Sequence, residues 1–527
     1  MLMTQGVLRH IAKSTTVVAS ATALSRILGL VRDLLMAQLF GTTAAAQAFV
    51  VAFRLPNMLR DLVAEGAMAS AVVPVLTQSR TQDSPQEFWR LTQALLTQLF
   101  VWLGGLAIVG VLAAPLIVRA MAPGFVDDPE KLALTVTLTR ILFPLMLLVG
   151  LWAYFMGLLN TLRHFAVPAL GPAVLNVAMI VACVWWVPRV EPGIIALAVG
   201  VMVGGALQVG LQLPMAWRLG FRYAWRWRHA GSSRVLQLLG PRTVGSAAHQ
   251  ANVLIHTALA SLAMIVGEGA VASLYFANRL LQLPLALFGT ATAQASLPAL
   301  SEQAAHADWP AFRSTLLSVL RMTSFIMLPA TVGLILLATP IVQGLFERGA
   351  FDRWATSMTA RALIGYTFGL LAYGCSKLLS GAFYALHDTW TPVRLAIEAV
   401  VINIALSLAL MGWLQVAGLA LASSLASWLN AIRLLRAMER RLAEPLLEPL
   451  RLPLLRMGTA SLIMGGACWV LWQSVLNMLP AWVGLPAIVL VGVVGYMVGC
   501  AAFGVTELAT TLRWLIPRRL PSLSVNR

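Results

Sequence analysis

Residues 25–66 read SRILGLVRDLLMAQLFGTTAAAQAFVVAFRLPNMLRDLVAEG. Two apolar helical stretches meet at Gly41-Thr42-Thr43, yet they carry Arg26, Arg32, Asp33, Arg54, Arg60, Asp61 and Glu65. If the first enters a membrane near Thr16 and the second near Ala44, then at 1.5 Å per residue Arg26 and Arg54 lie roughly 15 Å deep, at the bilayer middle. An arginine there costs about 2.5–3.5 kcal/mol on insertion scales. Snorkelling relieves that cost near a helix end, which suits Arg32 better than Arg26 or Arg54. Charges at such depth face one another or a water-filled pathway, so this stretch predicts a cationic cavity inside a helical bundle.

The rest of the chain fits a membrane setting. Of 527 residues, 59% are hydrophobic and 11% charged, which excludes a soluble domain. The net charge of +17 falls mostly between apolar segments. That is the positive-inside pattern and not a nucleic-acid footprint. The cluster Arg218, Arg222, Arg226, Arg228 and Arg234, interleaved with Trp217, Tyr223, Trp225 and Trp227, reads as a loop lying on anionic headgroups. Cys183, Cys375, Cys468 and Cys500 stand singly in apolar segments and read as packing residues. Arg9 and Lys13 precede an apolar run with no small-residue cleavage site after it, so the first helix is read as retained.

Apolar runs long enough to span fall at about 16–40, 44–77, 91–119, 133–158, 168–188, 193–217, 238–266, 270–300, 314–345, 357–385, 393–414, 417–434, 453–478 and 483–512. The expected fold is an all-α polytopic membrane protein of about 14 helices. Loops after even-numbered helices hold Arg80 and Arg90, Arg218–Arg234, Arg313, and Arg433 to Arg441, which places both termini in the cytoplasm. A repeat with an offset near 225 is visible in the sequence. Arg54 falls on Arg279, Pro74 on Pro298, Gly124 of MAPGF on Gly349 of ERGAF, Gly157 on Gly381 and Pro168 on Pro392. Six helices per half make these parallel repeats, with the binding site expected at their interface. The expected divisions are an N-terminal half at 1–235, a C-terminal half at 236–445, and two further helices with a tail at 446–527.

The two halves differ in charge. Arg26, Arg32 and Asp33 map onto Ala251–Ala258, which has no arginine or carboxylate, and Arg60 has no counterpart. The expected anion-binding set is Arg26, Arg32, Arg54, Arg60 and Arg279, with Ser25, Asp33, Asp61, Glu65 and Asn278 as polar or acidic partners. Arg26 and Asp33, seven apart, share a helix face with Gly29 between them. Internal Arg–Asp pairing is the structural alternative, but the arginines outnumber the carboxylates. Gly29, Pro56 and Pro284 are expected hinges, since proline removes a backbone donor and kinks or breaks a helix. There is no phosphate-binding glycine–lysine loop, no HExxH and no paired-cysteine site, so no cofactor, metal or ATP-driven step is expected. Asp127-Asp128, in an outer loop beside Pro123 and Pro129, read as loop-initiating residues and not metal ligands, and His249 and His256 stand on the seventh helix.

SRILGLVRDLLMAQLFG, VAFRLPNMLRDLVAEGAMASAVVPVL, MAPGF, LFERGAF and the fourteen-helix plan resemble the MurJ (MviN) lipid II flippases of the multidrug/oligosaccharidyl-lipid/polysaccharide exporter superfamily. The resemblance implies a non-enzymatic carrier that moves an undecaprenyl-diphosphate-linked peptidoglycan precursor across a bacterial inner membrane by alternating access. Its partners are then lipid II, an anionic polyprenyl diphosphate glycolipid, together with membrane lipids and the cell wall synthesis machinery, and no nucleic acid. It also implies cavity roles for Arg26, Arg32, Arg60 and Arg279, with Asp33 as acidic partner. The chain departs from relatives at Gln47, Asn278 and Gln282, where they carry acidic residues, which makes its cavity the more positive. Alternatives are a drug or polyprenyl-oligosaccharide exporter of the same superfamily, or a polyprenyl-phosphate enzyme. The first needs surplus buried carboxylates, the last metal-binding carboxylates or a nucleophile.

Overall fold

A computed structural model of the chain describes residues 2–62, 68–474 and 478–509, and every regular element among them is helical. Apolar segments of this length satisfy their own backbone polar groups only as helices once water is absent. Within the described residues, all fourteen apolar runs fall on helical stretches. Among the described residues ten helices are long and apolar enough to cross a membrane, and an eleventh span is the pair Arg353–Thr367 and Leu370–Ala385, bent by 43°. The expected count of about fourteen is thus met by eleven on length and composition. The first two helices, Leu2–Phe40 and Ala44–Leu62, carry Arg26, Arg32 and Asp33 in one and Arg54, Arg60 and Asp61 in the other.

The repeat recurs in the architecture, element by element. Pro85–Leu112 is matched by Trp309–Leu336, both ends displaced by 224, and Met68–Gln82 by Ala291–Ala305, displaced by 223. Local chemistry sets these boundaries twice over. Ser84 and Asp308 cap the first pair, each accepting from a backbone N–H three residues on and each followed by proline within two residues. Asp128 and Asp352 do the same for the helices that follow, accepting from Lys131 N at 3.0 Å and Ala355 N at 2.8 Å. Asp128, expected to start a loop, is therefore a helix cap. Arg163 and His387, again 224 apart, both take left-handed φ values of 63° and 58° to end their helices. Core residues follow the same offset: Leu76, Phe88 and Leu96 are buried in one cluster, Leu300, Phe312 and Leu320 in the other.

Two compact units result, Met1–Tyr275 with Phe346–Ala355, and Phe276–Leu345 with Thr356–Arg527. The break falls inside the helix Ala270–Pro284. Helix Ala230–Ala260, first of the second repeat by sequence, packs in the first unit against Met68–Gln82 and Ala114–Met121. In the second unit the last two long helices, Leu447–Ser474 and Ala481–Ala502, pack on each other, and Leu447–Ser474 packs on Trp309–Leu336, around buried Phe325, Met457, Met464, Ile488 and Tyr496.

Gly29 and Pro56, two of the expected hinges, both lie within continuous helices. The first helix runs unbroken through Gly29, where a methyl group would stand 3.5 Å from Asn176 Nδ2, so the glycine marks a neighbour's approach. Pro56 is buried inside a continuous helix. Pro284 marks a change of helix type within one span, Ala270–Ala305. The α-helix ends there and a π turn, Leu285–Thr290, follows, consistent with loss of the donor that proline lacks.

Candidate functional site

Arg32 and Asp33 lie past the middle of the first helix, buried against Ala166–Val181 at 3% and 0% exposure. Consecutive helical side chains diverge by about 100°, so the two meet because the guanidinium folds back over its neighbour. Arg32 Nη2 and Nε donate to Asp33 Oδ1 at 2.7 and 3.0 Å. Arg32 Nη1 donates to Asn176 Oδ1 at 2.9 Å. Asn176 Nδ2 in turn donates to the Ser25 carbonyl at 2.9 Å, almost two turns back along the first helix. Tyr275 OH adds a bond to Asp33 Oδ1 at 3.1 Å. The pair is net neutral, and desolvation of both ions is offset by this shell of donors and acceptors.

Arg32 therefore differs from its expected role. Its guanidinium is enclosed by Asp33 and Asn176 and presents no face to a ligand in this conformation. The expected Arg26–Asp33 face divides likewise: Arg26 is exposed, while Asp33 is turned inward to Arg32 and Tyr275. Ser25, Arg54, Arg60, Asn278 and Arg279 are half-buried. The side chain of Asp61 and the whole of Glu65 lie outside the described residues, as does the side chain of His249.

Asn176 and Tyr275 escaped the sequence reading. A single amide in the apolar run AVPALGPAVLNVAMIV is the signal that was there to be used, because an unpartnered amide is costly at that depth. Lys377 is another, an exposed lysine within an apolar helix of the second unit, donating to Thr290 Oγ1 of the π turn at 3.1 Å. Among the described residues no three His, Cys, Asp or Glu side chains gather at metal-binding spacing.

A second construction holds the outer end of the first helix. Gly41 takes φ +52° to leave the helix, and a methyl group there would come within 2.1 Å of the Ala350 carbonyl. Ala350 N donates to the Gln38 carbonyl at 2.8 Å, and a methyl group on Gly349, at φ +58°, would come within 2.3 Å of that carbonyl. The motif LFERGAF thus supplies a cap for a helix more than 300 residues earlier. Its repeat mate MAPGF does the same service in exchange. Gly124 N donates to Ser261 Oγ at 3.0 Å, at the end of Ala230–Ala260. A methyl group on Gly124 would meet the Ser261 carbonyl at 2.2 Å.

Comparison with known proteins gives a consistent picture. The family model "Lipid II flippase MurJ" matches residues 36–487. A lipid II flippase MurJ of Burkholderia cenocepacia is 36% identical over 438 residues, covering 82% of this chain and 84% of that protein. A probable lipid II flippase MurJ of Vibrio cholerae is 34% identical over 502 residues, covering 92% and 94%. Among solved structures, a lipid II flippase MurJ in an inward closed conformation superposes with a TM-score of 0.79 at 27% identity over 92% of this chain and 98% of that one. An inward-facing multidrug MATE transporter of the MOP superfamily shares the fold at TM-score 0.65, 13% identity and 80% and 94% coverage.

Proposed function

The chain belongs to the lipid II flippase MurJ family, and from that premise we propose that it exports lipid II through an arginine-bearing path built on its first two helices. It is a multi-pass membrane transporter and not an enzyme. The bacterial inner membrane, with both termini in the cytoplasm, is the setting that the basic loops support.

The observation that carries the reading is a division of labour along the first helix. Arg32 is neutralised by Asp33 and held by Asn176, which fixes the helix against its neighbour. Arg26, almost two turns earlier, is exposed and holds a full positive charge within an apolar stretch. With Arg54 and Arg60 of the same unit it supplies the cations to which a diphosphate is the matching anion, since guanidinium makes charge-assisted, often bidentate bonds to phosphate oxygens. Alternating access carries the headgroup across while the prenyl tail stays in the bilayer. A membrane potential, inside negative, contributes about 2.3 kcal/mol per charge per 100 mV to outward movement of an anion. A cationic-drug exporter shares the fold, but Asp33, the buried carboxylate it would use, is already committed to Arg32.

Charge reversal tests the assignment. Arg26→Glu should reduce lipid II flipping in proteoliposomes by 100-fold or more with the melting temperature unchanged, and Arg26→Lys should retain part of it. Flipping at the wild-type rate by Arg26→Glu would remove Arg26 from the path. Flipping undiminished after collapse of the potential would remove the electrical contribution.

A further inference from the structure

The segment 221–229, FRYAWRWRH, plays no part in the site above. It is extended backbone between two helices, and it is strapped along the beginning of Pro85–Leu112. Phe221 anchors it, 1% exposed, with ring centroids 6.1 Å from Trp89 and 5.7 Å from Phe155. Beyond that anchor, polar side chains of the helix take up the strap's backbone. Gln93 Nε2 donates to the Arg222 carbonyl and Gln98 Nε2 to the Trp227 carbonyl, both at 2.7 Å. Arg226 Nε returns a bond to Gln93 Oε1 at 2.9 Å. His229 closes the far end, 3.1 Å from Glu87 Oε2, while its other ring nitrogen accepts from Gly231 N to cap the next helix.

With its backbone satisfied inward, the strap turns large side chains outward. Tyr223, Trp225 and Trp227 are 52%, 64% and 41% exposed, and Arg218, Arg222 and Arg228 are exposed between them. Its level relative to a bilayer follows from the supporting helix. Pro85–Leu112 has 28 residues, about 42 Å, against about 30 Å of hydrocarbon. Its exposed apolar residues run from Phe100 to Leu112, which places that part in the acyl region. Counted back from Leu112, about 30 Å of hydrocarbon reaches about to Gln93, so the strap along Glu87 to Gln98 straddles the boundary between the headgroups and the outermost acyl layer. Indole and phenol rings favour that layer, and arginines in it attract anionic headgroups.

We propose that this strap is a docking surface for anionic phospholipid headgroups, separate from the path of the transported lipid. Full-length protein in mixed micelles would be offered equal phosphatidylglycerol and phosphatidylcholine, and retained lipids counted by native mass spectrometry. Arg218 and Arg228 take no part in the strap's fastening, so Arg218→Gln with Arg228→Gln removes charge and leaves the fold. Wild type should retain phosphatidylglycerol preferentially. The double variant should lower that preference by about fivefold per arginine, on the scale of about 1 kcal/mol for each basic residue at a charged surface. Trp225→Ala with Trp227→Ala should lower retention of both lipids. Equal retention of the two lipids by wild type, or an unchanged preference in the arginine variant, overturns the proposal. Displacement of the bound phosphatidylglycerol by undecaprenyl diphosphate would assign the surface to the substrate instead, and arginine-dependent binding of single-stranded RNA would assign it to nucleic acid. Either result overturns it too.

Discussion

The helices Leu2–Phe40 and Ala230–Ala260 hold the same place in the two repeats, and the turns that close them are exchanged between the repeats. Ala350 N of the second repeat donates to the Gln38 carbonyl near the end of the first helix, and Gly124 N of the first repeat donates to Ser261 Oγ just past the end of its mate. Their middles are unlike. One carries Arg26, Arg32 and Asp33, the other Asn252 and His256 and no arginine or carboxylate between Ala251 and Ala258. The ends agree because every helix leaves carbonyls that must find donors, whatever the helix is for. The middles differ because buried charge is never required by the backbone. It costs free energy, so its presence in one repeat alone points to work that only that repeat performs.

The sharpest way to break this contrast is Asp33→Ala, which leaves Arg32 buried without its carboxylate. A loss of about 3–5 kcal/mol is expected, read as a melting-temperature drop in detergent. Replacing both, Arg32→Met with Asp33→Leu, should restore much of it. A fall below about 1 kcal/mol for Asp33→Ala would show that Arg32 reaches water and is not held as described. The ends come next. Gly41→Ala and Gly349→Ala meet both a left-handed backbone and a carbonyl at 2.1 and 2.3 Å, so each should cost about 1–2 kcal/mol from conformation before the clash is relieved. Gly124→Ala meets the carbonyl at 2.2 Å without the positive φ and should cost less. Equal melting temperatures for the three would mean that the exchanged caps do not constrain the helix ends.

A smaller effect is expected in the second unit, where charges pair at the surface. Glu398 joins Arg394 at 3.1 Å and Arg433 at 2.6 Å, with side chains 35–69% exposed. Glu398→Gln should cost under 1 kcal/mol and less still in high salt, against the several kcal/mol of the buried pair. Gly29→Ala should change least. Its added methyl group finds ordinary contact with Asn176, and alanine favours a helix by about 1 kcal/mol over glycine. A variant of unchanged stability and normal flipping agrees with a packing glycine. Flipping lost at unchanged stability would restore the hinge.

Much of the fold was legible in order along the chain. The offset near 225 appears in Arg54 and Arg279 or Gly157 and Gly381, and it reappears as paired caps at Ser84 and Asp308 and paired left-handed turns at Arg163 and His387. These are local signals, each set by two to five neighbouring residues. The candidate site was legible only as a set of residue types. Counting arginines against carboxylates predicted a surplus, but not which arginine is neutralised. A spacing of seven favoured Arg26 for Asp33, whereas the structure uses the adjacent Arg32, because Asn176, 144 residues away, holds the other side of that guanidinium.

By itself, then, the order of residues determined that this chain is a doubled helical membrane protein with arginines set within apolar helical segments, since hydropathy, capping and chain-length geometry act over short distances. Only the tertiary structure decided that Arg32 is sealed and Arg26 left open, that MAPGF and LFERGAF close each other's helices, and that an arginine–tryptophan loop is strapped flat. Each of those outcomes depends on hydrogen bonds between groups more than a hundred residues apart, and such partners meet only when the helices pack.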